Sequence, residues 1–257
     1  NATALKWHTC AWLLLPVLVF LAGWMHWYAA LPLTLLTAAG LAPRKRKEPQ
    51  TRDSLPAFPL FTRSSFLALA AFAALMALSG WGEWVNQHPD HIVRNACLRE
   101  LVASPWPVIF PDGNVLIYNT GFWLVPALAG KLAGLDAARM LVVLWGAWGL
   151  FLSWLWLCVF SGRRSLLLAL LMAAFGSLLN LQCWLGLNLF RLHYFGTAEQ
   201  IMCSANASIP VLLFFIFLAS GRMPLYWMPI LFAATAFYSP LAALGCLLYT
   251  SDAADDR

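Results

Sequence analysis

Residues able to do acid–base chemistry gather in one stretch of this sequence, residues 81–136, which reads WGEWVNQHPDHIVRNACLRELVASPWPVIFPDGNVLIYNTGFWLVPALAGKLAGLD. It holds Glu83, Asp90, Glu100, Asp112 and Asp136, five of the eight acids that precede the final dozen residues. A carboxylate within reach of a hydroxyl can serve as general base, and neighbouring cations can hold an anionic leaving group. Asp90 and Glu83 are the candidates for such a base. His91, Arg94, Lys131 and Arg139 are candidates for binding substrate. Arg191, His193 and Glu199 form a second group further along the chain.

Each of these residues also has a plainer role. Asp90 follows a proline at the head of an amphipathic stretch, where aspartate caps helices. His91 also reads as an interfacial side chain, and Arg94 and Arg99 as arginines that snorkel to lipid head groups. Glu83 is costly if it faces lipid inside a span, but nearly free at the interface. Cys10, Cys97, Cys158, Cys183, Cys203 and Cys246 show neither CxxC nor Cys/His spacing, so no zinc site or disulfide framework is signalled. A Cys183–Cys203 bridge across one loop is the single pairing left open. Asp90-His91 is a thin metal-ligand set, which leaves a divalent metal open as cofactor.

The elements that must position these residues are apolar helices. Hydrophobic residues make up 61% of the 257 and charged residues 11%, against about 25% charged in soluble domains. Mean hydropathy is +0.72. The predicted class is all-α, a polytopic transmembrane helix bundle whose partner is the lipid bilayer, since each apolar stretch of about 20 residues can span it with its own backbone satisfied. The formal charge of +5 then reports the placement of loops, and nucleic acid is not an expected partner.

Residues 1–42 read as an N-terminal transmembrane hairpin that turns at Gly23-Trp-Met-His-Trp-Tyr28, with a signal peptide as the competing view of its first half. Residues 43–63 form a basic, proline-flanked loop around Arg44-Lys-Arg-Lys47, which the positive-inside rule keeps cytoplasmic. Residues 64–245 form the transmembrane core. Its predicted crossings lie at 66–80, 139–160, 166–185, 209–219 and 224–245, with the loop at 82–136 extracytoplasmic. Ten basic residues then fall inside and five outside, which supports this orientation. Within the loop, 90–102 is predicted to be an amphipathic helix and 122–132 a second, interfacial helix; together they would roof the bundle. Residues 188–200 make a second outer loop. No internal repeat is visible, which argues against inverted-repeat transporters.

The ends carry two further expectations. The chain starts at Asn1 rather than Met, and residues 246–257, CLLYTSDAADDR, look like a translated sequencing adapter. Setting aside Asp252, Asp255, Asp256 and Arg257 leaves 15 basic and 8 acidic residues, net +7. A C-terminal portion is then expected to be missing.

An acid and a His near the start of the loop, then Leu98-Arg-Glu-Leu-Val102, Trp106-Pro107, and Tyr118-Asn-Thr-Gly-Phe-Trp-Leu-Val-Pro-Ala-Leu-Ala-Gly-Lys-Leu-Ala-Gly134 follow in order. This order resembles the GT-C superfamily of integral-membrane glycosyltransferases, in particular bacterial members related to protein mannosyltransferases. The likeness covers 81–160, under a third of the chain. It implies a sugar taken from a polyprenyl phosphate and passed, with inversion, to an acceptor outside the bacterial inner membrane. Asp90 matches the acid of the first outer loop, and the resemblance adds contacts from the second outer loop, among them His193 and Glu199. The rival class is a transporter or flippase for lipid-linked glycans, or a structural membrane component; a transporter needs polar groups at mid-membrane.

Overall fold

Apolar runs that end at Gly, Pro or polar clusters become helices here. The structure, a computed structural model, describes residues 2–43, 61–85, 87–175 and 196–244. Arg191, His193, Cys183, the basic cluster at 44–47, the distal half of the stretch at 166–185 and the tail at 246–257 lie outside the described residues. Among the described residues the fold is all-α: helices, one short 3-10 turn at Leu225–Trp227, and no strand beyond an isolated bridge between Ile109 and Val115.

The helices are α1 (Ala2–Trp24), α2 (Trp27–Leu41), α3 (Arg63–Leu78), α4 (Pro89–Ala103) and α5 (Gly121–Ala133). They are followed by α6 (Leu135–Ser161), α7 (Leu166–Ala174), α8 (Thr197–Ala219) and α9 (Met228–Tyr238). α1 and α2 part at Met25-His26, inside the break read from sequence. α3 begins with a capping box in which Thr62 and Ser65 satisfy each other's backbone N–H. α1, α6 and α8 are long and apolar enough to cross a membrane; α2, α3, α5 and the 3-10 turn with α9 are apolar but shorter.

α6 is the centre. It packs against α1, α3, α5 and α8, and most of its length is enclosed. Close approach is what its glycines permit, as small residues do where membrane helices meet. A Cβ on Gly149 would stand 2.6 Å from Ile209 of α8 and 2.7 Å from Trp12 of α1. Trp12 is stacked between Trp145, at 5.1 Å, and Tyr238, at 5.3 Å, and its indole donates to Trp145 O while Tyr238 Oη donates to Trp12 O at 2.7 Å. Several tryptophans are thus part of the bundle core.

Two sequence expectations need correction. α5, expected to lie along the surface, has seven of its thirteen residues buried and packs on α1, α4, α6 and α9. Its apolar side chains go round enough of the helix to be covered on several faces. α8 starts at Thr197, not near residue 209, because the polar run Glu199 to Ser208 is helical, with a break at Ser204 (φ −152°, ψ 42°).

Candidate functional site

The turn after α3 delivers Glu83. Gly80 and Gly82 both have φ 94°, and Glu83 itself sits at φ 68°, a left-handed conformation that costs a non-glycine residue about 1 kcal/mol or more. That conformation turns its side chain inward, where it is only 9% exposed. Oε2 accepts from Arg99 of α4 and, at 2.6 Å, from Arg139 of α6, while Arg139 also donates to Asp136 at 2.8 Å. Burial alone would raise the Glu83 carboxyl, but the two arginines outweigh it and hold it below the usual carboxylate range. Oε1 of Glu83 and Nε of Arg139 are buried without a partner. Glu83 is therefore an ion-pair hub that ties the turn after α3 to α4 and α6. Arg99, set aside in the sequence as a snorkelling residue, is half of that hub.

The start of α4 is built differently from the sequence expectation. His88, not Asp90, is the N-cap: its Nδ1 accepts from Asp90 N–H at 3.3 Å, and His91 Nδ1 accepts from His88 N–H at 3.2 Å. Asp90 falls in the first turn, where a negative charge suits the helix dipole. Its carboxylate remains 53% exposed, 3.6 Å from His88 and 3.7 Å from Arg94. Asp90 and Glu83 do not share a partner. Nine residues separate Asp90 from Arg99, about two and a half turns, so the two clusters occupy opposite faces of α4.

His91 and Arg94 are buried and point at the break in α8. His91 Nε2 lies 3.0 Å from Met202 O; Arg94 donates to Cys203 O and approaches Ser204 Oγ at 3.4 Å, with its guanidinium 5.7 Å from the Trp81 ring. Trp81 Nε1–H donates to Ile201 O at 2.8 Å, and Ser208 Oγ to Ser204 O at 3.0 Å. Burial lowers the basicity of His91 and outweighs the bond to Met202 O, which favours the charged ring; the positive charge of Arg94 lowers it further. Both of its ring nitrogens are engaged, so Asp90-His91 does not fit a metal ion. Among the described residues no cluster of three His, Cys, Asp or Glu side chains could hold one. The thiol of Cys97, buried on α4, is pushed up to about 12 and is unreactive at neutral pH.

Lys131 and Glu199 are occupied at helix ends. Lys131 Nζ donates to Ser104 O at 2.5 Å, beyond the C-terminus of α4, and lies over the Trp106 ring at 5.0 Å. Glu199 Oε2 accepts from Gly196 N–H at 3.0 Å and closes a cap at the start of α8. Of the sequence candidates, then, His91 and Arg94 meet on α8, Asp90 stands beside them, and Glu83 and Arg139 pair elsewhere. His88, Trp81, Arg99 and the break at Ser204 were missed; the run Ser204 to Ser208 inside an apolar stretch was the available signal for the last.

Beside that break lies an open-sided cavity of about 420 Å³, lined by Leu150, Gln200, Ile201, Ser208 and Leu212 among others. It is mainly apolar, with Thr197, Gln200 and Ser208 as its polar side chains. Asp90 does not line it. Comparison with protein-family models, curated proteins and solved structures finds no match to this chain.

Proposed function

We propose that this chain is a GT-C-type glycosyltransferase of the bacterial inner membrane, acting on its outer side. The donor is a sugar on a polyprenyl phosphate and the acceptor carries a hydroxyl. Asp90 takes the hydroxyl proton, the acceptor oxygen bonds to the anomeric carbon with inversion, and the bond from that carbon to the phosphate oxygen breaks. Charge that develops on the sugar is stabilised by the same kind of carboxylate that serves glycoside hydrolysis, and the departing phosphate needs a cation. Arg94 stands next to Asp90 but, like Lys131 and Arg139, is committed to other partners, which leaves Arg191 as the sequence candidate for that part.

The observation that carries this proposal is the contrast among acids. Glu83 is held by two arginines and Glu199 by a cap, whereas Asp90 keeps an exposed carboxylate beside a cation and a histidine. The test is transfer of labelled sugar in membranes carrying Asp90→Asn. Loss of about 10²- to 10⁴-fold with unchanged expression is expected of a missing general base; full activity would remove the proposal.

The cavity favours a second reading, passage of a lipid-linked glycan. It sits where a mainly apolar helix is broken and presents polar groups, the arrangement found at substrate sites of transporters. Under that reading Gln200→Leu with Ser208→Ala stops transport, and Asp90→Asn is silent.

A further inference from the structure

A break in a helix frees the carbonyls of the turn before it, and each must find a donor. Here the donors come from a distant part of the chain: Trp81 takes Ile201 O, His91 takes Met202 O and Arg94 takes Cys203 O. The geometry at His91 also determines its tautomer. Nδ1 accepts a hydrogen bond from His88 N–H, and Met202 O can only accept, so the single ring proton is on Nε2. A second proton, on Nδ1, would face the His88 N–H with two donors opposed and no acceptor between them.

The surroundings add to that penalty. His91 is 1% exposed, and the Trp81 ring meets it edge-on at 5.4 Å. Arg94 on the same helix and His88 at its cap disfavour a new positive charge; the bond to Met202 O favours it, as does Asp90, which is half-exposed. From α8 the titratable groups are the Cys203 thiol and Glu199, whose carboxylate is turned to Gly196 N–H. α5 and α6 also pack on α4, but their charged groups Lys131, Asp136 and Arg139 are engaged towards the other end of it.

We propose that His91 is a proton-operated fastening on the break of α8. Neutral, it closes the cap of α4 and holds Met202 O; protonated, it keeps the Nε2–H that Met202 O accepts but sets its new Nδ1–H against His88 N–H, so the ring leaves the cap and the joint it anchors loosens. Ile201 and Ser208, on either side of the break, line the cavity, so release changes the wall of that cavity. The sign follows from burial: a histidine that is less basic folded than unfolded stabilises the joint above its ordinary value near 6.5, and that contribution drains away as pH falls below it. This inference does not depend on the transferase proposal, since it concerns the joint alone.

The test is hydrogen exchange of the peptide covering 201–208 in the lipid-reconstituted protein at about pH 7.5 and about pH 5, corrected for intrinsic rates. About tenfold loss of protection is expected at the lower pH, one unit of titration being a factor of ten. His91→Gln, whose amide keeps a donor and an acceptor but does not titrate, should retain protection at both values; His91→Ala should lack it at both. Equal protection of the unaltered protein at the two values, or the same loss in His91→Gln, would overturn the proposal. Should His91→Gln fail to fold, ¹⁵N spectra of histidine-labelled protein decide. A ring at 91 that stays Nε2-protonated and neutral down to about pH 5 contradicts the proposal, and one that gains its proton as protection is lost supports it.

Discussion

Glu83 shows how far a residue's chemistry depends on partners that sequence proximity does not reveal. As an acid at the end of an apolar run it read as a candidate base; in the fold it accepts from arginines 16 and 56 residues away. A carboxylate so held is a poor proton acceptor, and its worth is structural. Glu83→Gln should cost about 1.5–3 kcal/mol, the range for hydrogen bonds to a charged group, with the Arg99 end discounted because that side chain is half-exposed. The pH dependence has a definite sign. A carboxyl held below its unfolded value near 4.3 contributes stability above that value and loses it as pH falls through the folded one. Thermal midpoints of the unaltered protein should therefore fall below about pH 4.3 more steeply than those of Glu83→Gln; parallel curves would contradict the hub. Asp90 was legible as the head of a helix, but the cap itself was not. Histidine is outside the usual capping set of Ser, Thr, Asp and Asn, and only the paired geometry of His88 and His91 reveals it.

Among elements, α1, α2, α3, α4 and α6 were readable to within a few residues, because apolar length, Gly and Pro breaks and a basic or polar edge coincide. α5 was readable in extent and misplaced in space. Being too short to span, it was laid on the surface, yet a short apolar helix can equally be enclosed by its neighbours. α8 was the larger miss: five polar residues between Glu199 and Ser208 lowered its apolar signal. The donors that make this stretch tolerable in a helix, Trp81, His91 and Arg94, are more than 100 residues earlier. Packing at the centre has its own prediction. Gly149→Ala places a methyl against Ile209 and Trp12, and overpacking of this kind costs about 1–3 kcal/mol. A lowered midpoint of thermal unfolding in detergent is expected, and an unchanged one would mean that α6 does not approach α1 and α8 so closely.

At the scale of the molecule, the exposed surface is compatible with a bilayer. Trp27, Leu31 and Leu36 on α2, Phe66 and Leu67 on α3, and Leu167 and Leu170 on α7 are large apolar side chains open to the surroundings. Three helices reach membrane-spanning length, and the charged clusters Glu83–Arg99–Arg139 and Asp90–Arg94 lie in or beside the segment from 81 to 139. The proposed chemistry requires that segment on the outer side, with Arg163 and Arg164 inside. Labelling of single cysteines with a membrane-impermeant maleimide tests the assignment directly. Ile117→Cys, at a residue 91% exposed, should react in intact cells, and Arg163→Cys only after the membrane is opened. The reverse pattern, with Ile117→Cys reached only from the cytoplasm, would contradict the account.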